Sequence, residues 1–165
     1  MLILKKNIKF LVILLTVSTL SVSLNYSFAA SGSGGGNDET SLYKSGKKLV
    51  IKAKKLEEND KIAKAEKLYL KALDKLEKAY EKDQKSADVL NYLGYSLRKT
   101  GNFEKAEKFY LEGLKLDAGH LGINEYLGEL YVQTGRIELA KKRLEVLQGC
   151  NCEEYEELKE LIEKN

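Results

Sequence analysis

Residues 87–120 are followed by a second copy of their own pattern, displaced by 34 residues, and this repeat constrains the fold more than any other feature of the chain. Under that offset Tyr92-Leu93-Gly94 falls on Tyr126-Leu127-Gly128, Thr100-Gly101 on Thr134-Gly135, Ala106 on Ala140 and Tyr110 on Leu144. Several matches at one period, set in a helix-turn-helix register, describe a unit that cannot bury its apolar face alone and must stack on its neighbours. Gly94 and Gly128 are expected to let the two helices of a hairpin approach closely against Ala106 and Ala140. Gly101 and Gly135 are expected to end the first helix of each hairpin. Leu93, Leu97, Phe103, Phe109, Tyr110 and Leu114 then fill the first unit, and Leu127, Tyr131, Ile137, Leu144 and Leu147 the second.

The apolar spacing predicts seven helices, over about 41–57, 61–82, 87–99, 103–116, 121–133, 137–148 and 153–164. The chain is rich in Lys, Leu, Glu and Ala and has no Pro or Trp, which suits uninterrupted helices. Moving the same offset backwards places Ala72, Ala79 and Asp83 where Ala106, Gly113 and Asp117 lie, so residues 61–82 read as the second helix of an earlier, degenerate repeat over 41–86. Its first helix carries a stripe of Leu42, Leu49, Val50, Ala53 and Leu56. Glu58-Asn59-Asp60 makes the turn, the alternative being one long helix over 41–82. The tail, residues 149–165, opens on Cys150 and Cys152. It continues as a helix with Tyr155, Leu158, Leu161 and Ile162 on one face, a cap over the last hairpin.

The N-terminus is of another kind. Lys5, Lys6 and Lys9 precede an apolar run from Phe10 to Leu20 and a boundary with small residues at Ser27 and Ala29, the layout of a signal peptide cleaved after Ala29. The competing reading, a membrane anchor, is disfavoured because the run is shorter than the roughly 20 apolar residues of a spanning helix. Residues 30–40, rich in Gly and Ser, read as a flexible lead. The expected location is therefore exported and periplasmic, with no stable membrane insertion after cleavage. Without the three leader lysines the chain has 25 basic and 25 acidic residues, so a general nucleic-acid-binding charge is missing.

Both units resemble the tetratricopeptide repeat (TPR), whose pattern has a large residue, Leu-Gly, an aromatic, Ala, an aromatic, Ala and Pro. Residues 87–120 are the better copy, departing at Gly113 and Ala118; residues 121–148 depart at Asn124 and after Leu147. The cysteine junction before an acidic Glu-Glu-Tyr helix is also similar to the endings of small exported bacterial TPR proteins. The resemblance implies an all-α, right-handed superhelical stack of about three hairpins plus a capping helix. It also implies a concave groove presenting Asp88, Asn91, Tyr92, Tyr95, Arg98 and Lys99, then Glu125, Tyr126, Glu129 and Gln133. The bland alternative packs Tyr92 and Tyr126 between helices and leaves the charged residues solvated. The Lys and Asn arrangement with which some TPR domains hold a C-terminal carboxylate is not reproduced.

The expected function is a non-catalytic adaptor of the bacterial cell envelope that binds a peptide or a partner helix, with no nucleic acid, cofactor or metal. The alternative is a small redox or metal-handling protein acting through Cys150 and Cys152, which are open to pairing in an oxidising compartment or to remaining thiols. With only two thiols and one distant His, a four-ligand zinc site is incomplete. No nucleophile, base and acid set, P-loop or dinucleotide motif accompanies them, and His120 reads as a satisfied boundary residue.

Overall fold

The computed structural model describes residues 35–82 and 85–165, with side chains from Ser41 onward; the signal segment predicted at 1–29 lies outside the described residues. Seven helices follow in order: α1 (Gly35–Glu57), α2 (Ile62–Glu81), α3 (Ala87–Lys99), α4 (Phe103–Leu116), α5 (Leu121–Gln133), α6 (Ile137–Leu147) and α7 (Glu153–Glu163). The described residues contain no strand. Six of the seven expected starts agree within one residue. The exception is α1, whose helix takes in residues 35–40 of the stretch read as a flexible lead.

The first two helices are a hairpin rather than one rod. The chain reverses at Glu58–Lys61, where Asp60 takes a positive φ of 56°, a conformation Asp tolerates better than most residues, and the Asn59 amide donates to the Lys55 carbonyl at 2.6 Å. The next two hairpins turn on glycine. Gly101 at φ 83° and Gly135 at φ 73° let the following amides reach back, Asn102 N to Leu97 O at 2.8 Å and Arg136 N to Tyr131 O at 2.7 Å. Three helix starts are capped by side chains: Ser86 Oγ accepts from Val89 N, Asn102 Oδ1 from Lys105 N and His120 Nδ1 from Ile123 N.

Each hairpin packs on the next, and the layers are unequal. The odd-numbered helices meet in sequence, α1 with α3, α3 with α5 and α5 with α7, whereas α2, α4 and α6 make no close backbone approach to one another. A stack whose odd helices touch and whose even helices stand apart bends towards the odd side, so α1, α3, α5 and α7 form the inner face.

The core between the layers is built from small and large residues in alternation. Gly94 leaves the space into which the Tyr110 ring fits, as the spacing predicts within one hairpin. Gly128, its repeat equivalent, departs from that pattern: the side chain against it is Leu158 of α7, not a residue of α6. Leu158 and Leu127 are fully buried, as are Leu93, Ala106, Tyr110 and Ala140, and Tyr131 is 6% exposed. Phe103, expected in the core, lies at 37% exposure on the first turn of α4. Helix α7 thus caps the last hairpin by supplying the bulky group that α4 supplies in the unit before.

Candidate functional site

The inner face is lined by tyrosines in mutual contact. Tyr43 of α1 lies 6.1 Å from Tyr92 of α3 between ring centroids, Tyr69 of α2 lies 5.8 Å from Tyr95, and Tyr95 lies 4.6 Å from Tyr126 of α5. The distances are those of paired aromatic rings. Cations of the chain itself sit on these rings: Lys47 is 5.3 Å from the Tyr92 centroid, Lys54 is 5.6 Å from Tyr95 and 5.5 Å from Tyr126, and Arg98 is 5.2 Å from Tyr95. Lys54 also donates to the Tyr126 hydroxyl at 3.3 Å.

Ion pairs tie the helices of this face together. Lys99 of α3 meets Glu57 of α1 at 2.8 Å, and Glu57 accepts from the Tyr69 hydroxyl at 2.9 Å. Arg98 of α3 meets Glu129 of α5 at 2.6 Å, with the guanidinium side chain only 2% exposed. Removing one partner of such a covered pair would leave a buried charge unbalanced, which makes it a structural element of the face as well as a polar one.

The ten residues expected to line the groove therefore divide. Asp88 and Gln133 are exposed, and Tyr92, Lys99, Tyr126 and Glu129 are partly exposed. Asn91, Tyr95, Arg98 and Glu125 are buried at 5% exposure or less. The resemblance puts all four on the inner face, where residues of neighbouring helices pack against them: Gly122 of α5 on Asn91, Tyr69 of α2 on Tyr95, Glu129 of α5 on Arg98 and Glu157 of α7 on Glu125. Burial raises the pKa of the Tyr95 and Tyr126 hydroxyls, so both remain neutral hydrogen-bonding groups.

Where α5 meets α7, the carboxylates of Glu125, Glu129 and Glu157 lie within 4.8 Å of one another. Such a group could hold a cation in principle, but Arg98 already serves Glu129. Burial, a hydrogen bond with Glu157 and the neighbouring charges of Glu129 and Glu157 push the Glu125 carboxyl up to about 10, so at neutral pH it keeps its proton and hydrogen-bonds with Glu157. Composition offered no signal for this junction, since an acidic tail reads as a solvated face.

Beyond it, an open pocket of about 410 Å³ is bounded by the starts of α3, α5 and α7 and contains Asp88, Asn91, Tyr92, His120, Tyr126 and Glu154. His120 lies 3.5 Å from Asp88 through Nε2, while its Nδ1 accepts the α5 capping bond. It caps α5 at the repeat boundary, where the sequence reads only a satisfied residue. Cys150 and Cys152 are joined in a disulfide at the entry to α7. That junction lies beside a second open pocket, of about 510 Å³, containing Gln148, Asn151 and Tyr155.

Residues 56–118, covering the end of α1 through α4, match the tetratricopeptide repeat family. Among solved structures, the second TPR domain of human RPAP3, in complex with an HSP70 peptide, is similar at 18% identity and a TM-score of 0.50, over 77% of this chain and 99% of that one. The Yersinia enterocolitica secretion chaperone SycD, in complex with a peptide of the translocator YopD, aligns at 19% identity and a TM-score of 0.47, over 72% of this chain and 86% of that one. The curated proteins give no match. At these identities the likeness to RPAP3 concerns the fold alone: helices packed as TPR hairpins.

Proposed function

We propose that this tetratricopeptide-repeat chain is a non-catalytic adaptor of the bacterial cell envelope, binding a peptide or partner helix on the inner face of its stack. The observation that carries the reading is the row of partly exposed tyrosines, Tyr92 and Tyr126, held on a rigid helical layer and flanked by Asp88, Lys99, Glu129 and Gln133. Tyrosine gives a partner a large apolar surface and a hydroxyl while losing little side-chain freedom, and such anchors dominate binding when they are centred and shielded from water. The Arg98–Glu129 pair, with its buried guanidinium, and the partly exposed Lys99–Glu57 pair keep the face rigid before a ligand arrives, which reduces the ordering cost of binding. The human RPAP3 domain of similar fold is in complex with a peptide, which accords with this use of the inner face. The envelope assignment rests on the N-terminal charge, apolar run and small-residue boundary.

The test uses a partner purified from the native envelope with the tagged chain. Tyr126→Ala is expected to weaken the complex by at least about 2 kcal/mol, and Glu163→Gln, on the exposed end of α7, by far less. Circular dichroism must show each variant folded. If Tyr92→Ala and Tyr126→Ala leave the affinity unchanged while Cys150→Ser with Cys152→Ser abolishes it, the inner-face reading fails and a disulfide-centred activity replaces it. Export is checked at the N-terminus: the mature chain is expected to begin at or near Ala30, and a membrane-bound protein that retains Met1 would instead mean an anchor.

A further inference from the structure

We infer that the pocket between the starts of α3, α5 and α7 is a subsite for a cationic side chain, lysine or arginine, of the peptide proposed to lie on the inner face. The inference rests on that reading and adds the chemistry of one ligand position. Three carboxylates stand around the pocket, Asp88, Asp117 and Glu154, and among the described residues that bound it there is no Lys or Arg. Asp117 is engaged locally, accepting from Gly119 N at 3.0 Å, and Asp88 faces His120. His120 uses its Nδ1 to accept from the Ile123 amide. Glu154 makes no hydrogen bond or ion pair within the described residues. Lys47 of α1 lies over Tyr92, outside the pocket lining, and its charge also acts on Asp88.

Independent of these carboxylates is Asn91. It borders the pocket at 5% exposure, and its Oδ1 is buried with no hydrogen-bond partner. The amide is seated against the bare backbone of Gly122, where a Cβ would come within 2.9 Å of Nδ2. A buried amide oxygen without a donor is costly, by about 1–3 kcal/mol in general, and a ligand that brings donors offsets that cost. An ammonium or guanidinium supplies only donors, carries a charge opposite to that of the three carboxylates, and lies well against the tyrosine rings that flank the site. The alternate polarity, an acidic side chain, would meet three like charges.

The subsite is tested without any partner. In a ¹H–¹⁵N NMR titration of the purified chain, N-acetylarginine methylamide is expected to shift the Asn91 side-chain, Gly122, Tyr126 and Glu154 resonances in a saturable way. The uncharged citrulline analogue is expected to bind at least tenfold more weakly, and Glu154→Gln or Asp88→Asn to weaken the arginine probe at least tenfold, with Glu163→Gln without effect. Equal shifts from citrulline, shifts scattered over other helices, or indifference to Glu154→Gln would overturn the assignment. Spermidine binding tenfold more tightly than the arginine probe would also overturn it, in favour of a free-amine site. Failure here is separable from failure of the inner-face reading: a partner lost with Tyr126→Ala but indifferent to Glu154→Gln removes the subsite alone.

Discussion

Glu125 couples folding to proton uptake. Its carboxyl titrates near the usual carboxylate range when the chain is unfolded and near about 10 when folded, so the folded state holds a proton that the unfolded state releases. The resulting stability is fully present below the unfolded pKa and is lost progressively as pH rises towards the folded one. Glu125→Gln supplies a permanently neutral donor of the same shape. It is expected to raise the melting temperature at pH 8 and leave it nearly unchanged at pH 4, measured by thermal unfolding across that range. The glycines give a second prediction. Gly94→Ala sets a methyl group against the rigid Tyr110 ring and is expected to cost about 1–3 kcal/mol through overpacking. Gly128→Ala meets the branched end of Leu158 and should cost less, because that side chain can turn away. Paired denaturation curves would separate the two, and an unchanged Gly94→Ala would contradict the close helix approach.

Helix ends were legible from local chemistry. Gly101 and Gly135 mark stops, because orphan backbone groups at helix ends accept few residue types, whereas the caps at Ser86 and Asn102 emerge only in the structure. The family resemblance also placed Tyr92, Tyr95, Arg98, Tyr126 and Glu129 on one face. It did not reveal which of them stay accessible. Tyr95 and Arg98 are covered because α1 brings Lys54, α2 brings Tyr69 and α5 brings Glu129, and cross-helix pairs of this kind have no fixed spacing in the sequence. The neighbours of Glu125 and Gly128, Glu157 and Leu158, likewise belong to α7, outside the repeat. The start of α1 was set too late because glycines mark a poor helix interior without forbidding one. The Cys150–Cys152 bond closes a very short loop, for which the chain-entropy argument gives less than about 2 kcal/mol. Its reduction is expected to lower the melting temperature slightly and leave helical circular dichroism intact. Loss of helicity on reduction would assign the bond a larger structural role.

Across the described stack, charge runs from basic to acidic. Residues 41–82 carry 13 Lys against 7 acidic residues, and residues 121–165 carry 6 basic against 10 acidic ones. A ligand on the inner face crosses that gradient, so its association rate is expected to fall with added salt more than its dissociation rate rises, as measured by stopped-flow at low and near-physiological ionic strength. The position of Leu158 bears on the history of each molecule. During synthesis Tyr110 follows Gly94 after 16 residues, but Leu158 follows Gly128 only after 30. At about 5–20 residues per second the recess at Gly128 waits some 1.5 to 6 s for its occupant. Over the last 11 of those residues, from Leu147 to Leu158, the nascent chain has a finished second hairpin and an open third one, its oily seam facing whatever else is in reach.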